Sequence, residues 1–280
     1  MALKLKTFKN VNGILNRRND ILYGCPQKSS ATSRILVFFG GDTQDFRENM
    51  AQHKDSTSFR KWSFENTAHI MSEKFPQNHI LIIRPARRKV LPKAVINCFD
   101  NFVKGSEYGA PTFAPNYSSL LHLKTLLESL AKSVTQISKE ILNEGELSLM
   151  GFSKGSVVLN QFLHEFHYYQ NPQEQNDEIV KFISRIKEMW WLDGGHPGQK
   201  DTWITDKAIL DSFIKLGIDV HVDVTPYQIN DSQRPWIRIE EQTFSETLQK
   251  GGANIQRHLH FGDQPRKLEY HFTVLKKINV

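Results

Sequence analysis

One serine of this chain stands in a setting that suits nucleophilic chemistry. Gly151-Phe152-Ser153-Lys154-Gly155 follows a strand-like apolar run at 147–150 and precedes a helix-like run at 156–163. A G-x-S-x-G sequence between strand and helix is the signature of a nucleophile elbow, a turn so sharp that the serine hydroxyl is held clear of the sheet. The two glycines are needed where side chains would strike the neighbouring backbone. A serine hydroxyl is a poor nucleophile at neutral pH. It needs an imidazole to take its proton and a carboxylate to orient that imidazole. In this arrangement the chain order is serine, acid, histidine. His271, beyond the last strand-like segment, is the candidate base. Two aspartates compete for the acid. Asp231, in the loop after the run 219–225, is favoured; Asp193, which ends the run 189–193, is the alternative.

An acyl carbonyl attacked by Ser153 would become an oxyanion, and two backbone N–H groups must meet it. Lys154, next after the nucleophile, would supply one. The loop Gly40-Gly41-Asp42 would supply the other, at Gly41. The Lys154 side chain would draw in an anionic substrate or simply point to solvent. Trp203 and Trp236 fall in loops near the expected site and are candidates for lining an acyl pocket. His258 and His260 share one face of a strand-like segment, but two ligands without a third do not make a metal site. No metal and no other cofactor is expected.

These groups need a scaffold that brings strand ends together. Short, continuously apolar runs at 35–39, 79–84, 147–150, 189–193 and 219–225 read as buried strands, and 254–261 reads as a final one. Helical patterns lie between them, at 63–75, 118–142, 156–163, 178–189, 208–216 and 235–250, with Ser63 and Thr205 as N-caps. Alternation of this kind predicts an α/β fold with a mostly parallel sheet and helices on both faces. In such a sheet functional groups gather at the carboxyl ends of the strands. Residues 85–117 read as a long irregular loop, a candidate lid or substrate wall. Residues 1–30 read as a basic N-terminal tail and possible targeting segment, with Leu3, Leu5, Phe8, Val11, Ile14 and Leu15 at roughly helical spacing. Residues 31–280 are expected to form one domain.

Composition narrows the class. The 280 residues are 39% hydrophobic and 24% charged, in the range of globular proteins. No apolar run approaches the ~20 residues of a membrane-spanning helix. Cys25 and Cys98 are the two cysteines, too few for a disulfide framework and without metal-finger spacing. The net charge is +6, but the basic residues are dispersed. The densest cluster, Arg84-Pro85-Ala86-Arg87-Arg88-Lys89, has no interleaved aromatics, so nucleic acid is not an expected partner.

Assembled in order, several segments resemble a known family. They are Phe39-Gly40-Gly41-Asp42-Thr43-Gln44, Trp62-Ser63-Phe64-Glu65-Asn66, Asp100-Asn101-Phe102-Val103, the elbow with Val158-Leu159-Asn160-Gln161, Trp191-Leu192-Asp193-Gly194-Gly195-His196, Val224-Thr225-Pro226-Tyr227-Gln228 and His271-Phe272. The chain resembles the mitochondrial α/β-hydrolase-like family named after an open reading frame on human chromosome 2. The resemblance implies a serine-hydrolase-like fold and a mitochondrial setting, the matrix first, with the cytoplasm as alternative. It carries Ser153, Asp193 and His271 over as the matching positions and implies no defined substrate. The stretch between the long helix and the elbow is shorter here than the family allows.

Two functional expectations follow. The first is a serine hydrolase, esterase-, lipase- or thioesterase-like, acting on a small-molecule acyl substrate. The second is a catalytically silent hydrolase fold that binds a protein partner.

Overall fold

The computed structural model describes residues 3–28, 34–92, 94–134 and 137–280. Among them twelve strands form: β1 (Leu5–Asn12), β2 (Arg18–Gly24), β3 (Arg34–Phe39), β4 (Asn78–Ile83), β5 (Arg87–Leu91), β6 (Ala94–Cys98), β7 (Lys104–Gly105), β8 (Pro111–Thr112), β9 (Glu146–Phe152), β10 (Ile186–Leu192), β11 (Asp219–Val224) and β12 (Ile255–Leu259). Eight of them make one sheet in the order β1-β2-β4-β3-β9-β10-β11-β12. β1, β2 and β4 pair antiparallel in turn, and every pairing from β4 to β12 is parallel.

The apolar runs lie in the middle of this sheet because both of its faces are covered. Along β3, Ile35, Val37 and Phe39 enter one core while Leu36 and Phe38 enter the other. β9 divides the same way, Leu147 and Leu149 against Met150 and Phe152. This is the two-residue period of a pleated strand. The larger core is roofed by helices Ser119–Ser133, Ser156–Tyr169, Asp177–Ile183, Lys207–Ile214 and Trp236–Lys250. The smaller is covered by Phe64–Lys74 and Leu268–Lys277.

β3 is flanked by β4 on one side and β9 on the other. The chain therefore winds outward in one direction from β3 to β4 and returns to the opposite side for β9. Such a reversal opens a crevice at the carboxyl ends of the strands, where ligands bind in α/β sheets.

Several expectations are corrected here. The expected N-terminal tail contains the β1–β2 hairpin, with Ile21, Leu22 and Tyr23 buried. Leu3 and Leu5 pack on the smaller core, and Phe8 and Val11 on the larger. A register shift between Phe8 and Val11 gives these residues a spacing that mimics a helix. The expected boundary between residues 30 and 31 lies outside the described residues. The helix expected over 118–142 is two, Ser119–Ser133 and Lys139–Glu144, because Val134 turns extended. The expected loop 85–117 carries two small hairpins, β5–β6 and β7–β8. The helix expected over 178–189 ends at Ile183, and β10 begins at Ile186. Asp206, not Thr205, caps the next helix, accepting from the Ala208 and Ile209 amides.

Candidate active site

The turn at Ser153 is built by sterics. β9 ends at Phe152, a 3-10 turn runs from Ser153 to Gly155, and helix Ser156–Tyr169 follows at once. Ser153 takes a φ of 53°, a left-handed conformation that costs a non-glycine residue about 1–3 kcal/mol. A Cβ on Gly155 would lie 2.0 Å from the Phe39 carbonyl oxygen, and one on Gly151 2.8 Å from the Ser156 backbone. Both glycines are therefore fixed by close backbone approach. Phe39 pairs with Gly151 in the sheet, which sets the end of β3 beside the end of β9.

His271 reaches Ser153 from the helix Leu268–Lys277, an element that a short C-terminal segment hid in the sequence. Its Nε2 lies 2.9 Å from Ser153 Oγ and its Nδ1 lies 2.6 Å from Asp193 Oδ2. An ionised carboxylate only accepts, so Nδ1 carries the proton and Nε2 presents its lone pair to the serine hydroxyl. Asp193 follows β10 and is fully buried. The Thr225 amide donates to its Oδ1 at 2.8 Å, and the Thr225 hydroxyl donates to its Oδ2 at 2.8 Å. The His271 ring is held between Phe152 and Tyr227, with centroids at 4.7 and 4.9 Å.

Asp231, the favoured acid, is engaged elsewhere. Arg234 Nε and Arg266 Nη2 each donate to its Oδ2 at 2.8 Å, and the Gln233 amide donates to Oδ1 at 2.9 Å. Burial works against ionisation of Asp231, but the Arg234 and Gln233 hydrogen bonds and the two arginine charges outweigh it. Its carboxyl is held below the ordinary range. The structure brings Ser153, His271 and Asp193 together and leaves Asp231 out of that chain of hydrogen bonds.

The expected oxyanion donors also part company. The Gly41 amide donates to buried Gln44 Oε1 at 2.9 Å, so that N–H is already taken. The next two amides, of Asp42 and Thr43, carry no hydrogen bond among the described residues and border the same cavity as Ser153. Lys154 is the second residue of the turn that opens the helix, among the N-terminal amides with no intrahelical acceptor. Its side chain does not point to solvent. It is 1% exposed, with Nζ 3.1 Å from Asp42 Oδ1 and 3.0 Å from the Tyr108 carbonyl oxygen.

The cavity at Ser153 holds about 300 Å³. Phe59, Phe152, Tyr227, Leu268 and Phe272 give it apolar walls, and Asp42, His196, Gln228 and Arg234 give it polar ones. Trp203 and Trp236 are not among the lining residues; Trp203 packs into the core against Phe244. His196, which also lines the cavity, is held by its own loop. Burial lowers its pKa to about 4, and both ring nitrogens are bound, to the Gly198 amide and the Asp201 carbonyl. His258 and His260 lie away from the cavity, His260 Nε2 being 2.6 Å from Asp223 Oδ1. No group of three metal-ligating side chains occurs among the described residues. No helix among them is long and apolar enough to cross a membrane. Thr225, Gln228 and Arg234 are the site residues that sequence reasoning missed; the segment Thr225-Pro226-Tyr227-Gln228 was the available signal.

A dienelactone hydrolase from Anabaena variabilis superposes with a TM-score of 0.50 at 9% identity, over 98% of this chain and 94% of that one. That likeness and the strand order make this an α/β-hydrolase fold. The family model for C2orf69 matches residues 7–144 and 133–254. A mitochondrial protein C2orf69 homolog from Danio rerio is 36% identical over 253 residues, covering 86% of this chain and 72% of its own length. Mitochondrial protein C2orf69 from Homo sapiens is 32% identical, covering 85% and 72%. On these matches the chain belongs to the C2orf69 family.

Proposed function

We propose that this chain is a serine hydrolase acting on ester or thioester bonds of a small acyl substrate, and that it works in mitochondria as the names of its relatives indicate. The observation that carries the reading is the continuous relay Ser153 Oγ–His271 Nε2–His271 Nδ1–Asp193, at 2.9 and 2.6 Å, at the wall of an accessible cavity. As Ser153 Oγ bonds to the acyl carbon, its proton passes to His271 Nε2 and the carbonyl electron pair moves onto oxygen. The Lys154 amide, with the Asp42 or Thr43 amide, meets that oxyanion. Collapse expels the alcohol or thiol, which takes the proton from His271. A water then attacks the acyl-enzyme by the same relay, releasing the acid and restoring Ser153. Buried Asp193 stabilises the imidazolium that forms in each half.

Labelling with a fluorophosphonate probe tests the reading. Wild type is expected to label, and Ser153→Ala and His271→Ala are not. Folded wild-type protein that does not label would overturn it. The second reading, a silent binding module, draws on the Gly41 amide being committed to Gln44, and that outcome would favour it.

A further inference from the structure

We propose that Arg234 is the specificity-determining residue of the Ser153 cavity, and that the cavity takes acyl substrates bearing an anionic group, a carboxylate or a phosphate. This rests on the serine-hydrolase reading above. Arg234 lines the same cavity as Ser153 and His271. Its guanidinium is fixed on one side only. Nε donates to Asp231 Oδ2 at 2.8 Å, and Nη2 lies 2.8 Å from the same oxygen and 3.2 Å from Gln228 Oε1. Nη1, with two N–H groups, has no partner among the described residues.

The charge balance leaves a cation unmatched. Asp231 carries one negative charge and holds two arginines, since Arg266 Nη2 also lies 2.8 Å from Oδ2. Arg266 is itself held by the Tyr227 carbonyl and stacked on the Tyr227 ring, 4.4 Å from its centroid. The other cation near the nucleophile, Lys154, is buried and paired with Asp42. Asp231, Arg234 and Arg266 therefore carry a net single positive charge, and Arg234 lines the cavity that holds Ser153. A guanidinium pre-set by a carboxylate is suited to bidentate recognition of carboxylate or phosphate. The position also communicates with the relay, because Gln228 Nε2 lies 3.3 Å from the Asp193 carbonyl oxygen. This gives Asp231 a role: it orients the arginine rather than the histidine.

The test compares 4-nitrophenyl hexanoate with mono-4-nitrophenyl adipate, which differ by a terminal carboxylate. The ratio of kcat/KM, acidic over neutral ester, is measured in wild type, Arg234→Gln and Arg234→Lys. A lost hydrogen-bonded charge predicts a roughly ten- to hundredfold fall in that ratio for Arg234→Gln, with partial recovery in Arg234→Lys. Calorimetric binding of hexyl phosphate and of adipate to the Ser153→Ala protein, with and without Arg234→Gln, reads the anion site without turnover. Tighter binding of one than the other identifies the anion. An unchanged ester ratio, or anion binding equal with and without Arg234, would overturn the proposal. If neither ester is cleaved while Arg234-dependent binding persists, the hydrolase reading has failed and the anion site stands.

Discussion

Replacing Asp193 by asparagine changes one atom and should disable the relay. The Thr225 amide donates to Oδ1 at 2.8 Å, and a backbone N–H can only donate. The asparagine oxygen must therefore stay at that position. Its NH2 then takes the place of Oδ2, 2.6 Å from His271 Nδ1 and 2.8 Å from the Thr225 hydroxyl. The hydroxyl can rotate and accept. The imidazole can accept at Nδ1 only by moving its proton to Nε2, where it points at Ser153 Oγ across 2.9 Å. In that tautomer His271 cannot take the serine proton. A wrong-tautomer change of this kind lowers the rate roughly ten-thousandfold, about 5 kcal/mol of barrier. The assay is the second-order rate of fluorophosphonate labelling, with a thermal melt of the same sample to show that it is folded. Asp231→Asn serves as the comparison, since Asp231 touches arginines and not His271. Folded Asp193→Asn labelling within about tenfold of wild type would refute the reasoning. So would an equal loss in Asp231→Asn.

Lys154→Met keeps the bulk of a buried side chain but removes the donor to Asp42 and to the Tyr108 carbonyl. About 2–3 kcal/mol of stability should be lost, seen as a lower urea midpoint at unchanged slope; an unchanged midpoint would show that the pair contributes nothing. Acid should weaken the fold through its buried histidines. Burial lowers His196 to about 4 and His122 to about 3 in the folded chain, against about 6.5 unfolded. Between these values the unfolded state binds more protons, so stability is full above about pH 6.5 and falls as the pH drops towards 4, by on the order of 3 kcal/mol per histidine. Urea titrations at neutral and acidic pH check it, and a midpoint that rises on acidification would contradict it.

What the sequence makes legible follows the range of the interactions. The tight turn around Ser153 is local: Gly151 and Gly155 are dictated by backbone atoms a few residues away or on the adjacent strand. Buried strands are legible because both faces demand apolar side chains. The choice between Asp193 and Asp231 is not local. It depends on Thr225, just past the end of β11, reaching Asp193, just past the end of β10, and on Arg266, 35 residues away, reaching Asp231. The loss of Gly41 as a donor depends on where one glutamine side chain turns. The N-terminal hairpin is hidden in the sequence because a register shift gives its strand residues a helical spacing.

That hairpin limits where the chain can be trimmed. β2 pairs with β4 from Ile21 against Ile83 to Gly24 against Ile80. Arg17, in the connection from β1, donates to the Asn101 and Tyr117 carbonyls. A protease that removed residues 5–24 would leave β4, buried along its whole length, as an open edge. Apolar edges of that kind pair with other chains and aggregate. Maturation by cleavage within β1 or β2 is therefore incompatible with a dispersed product.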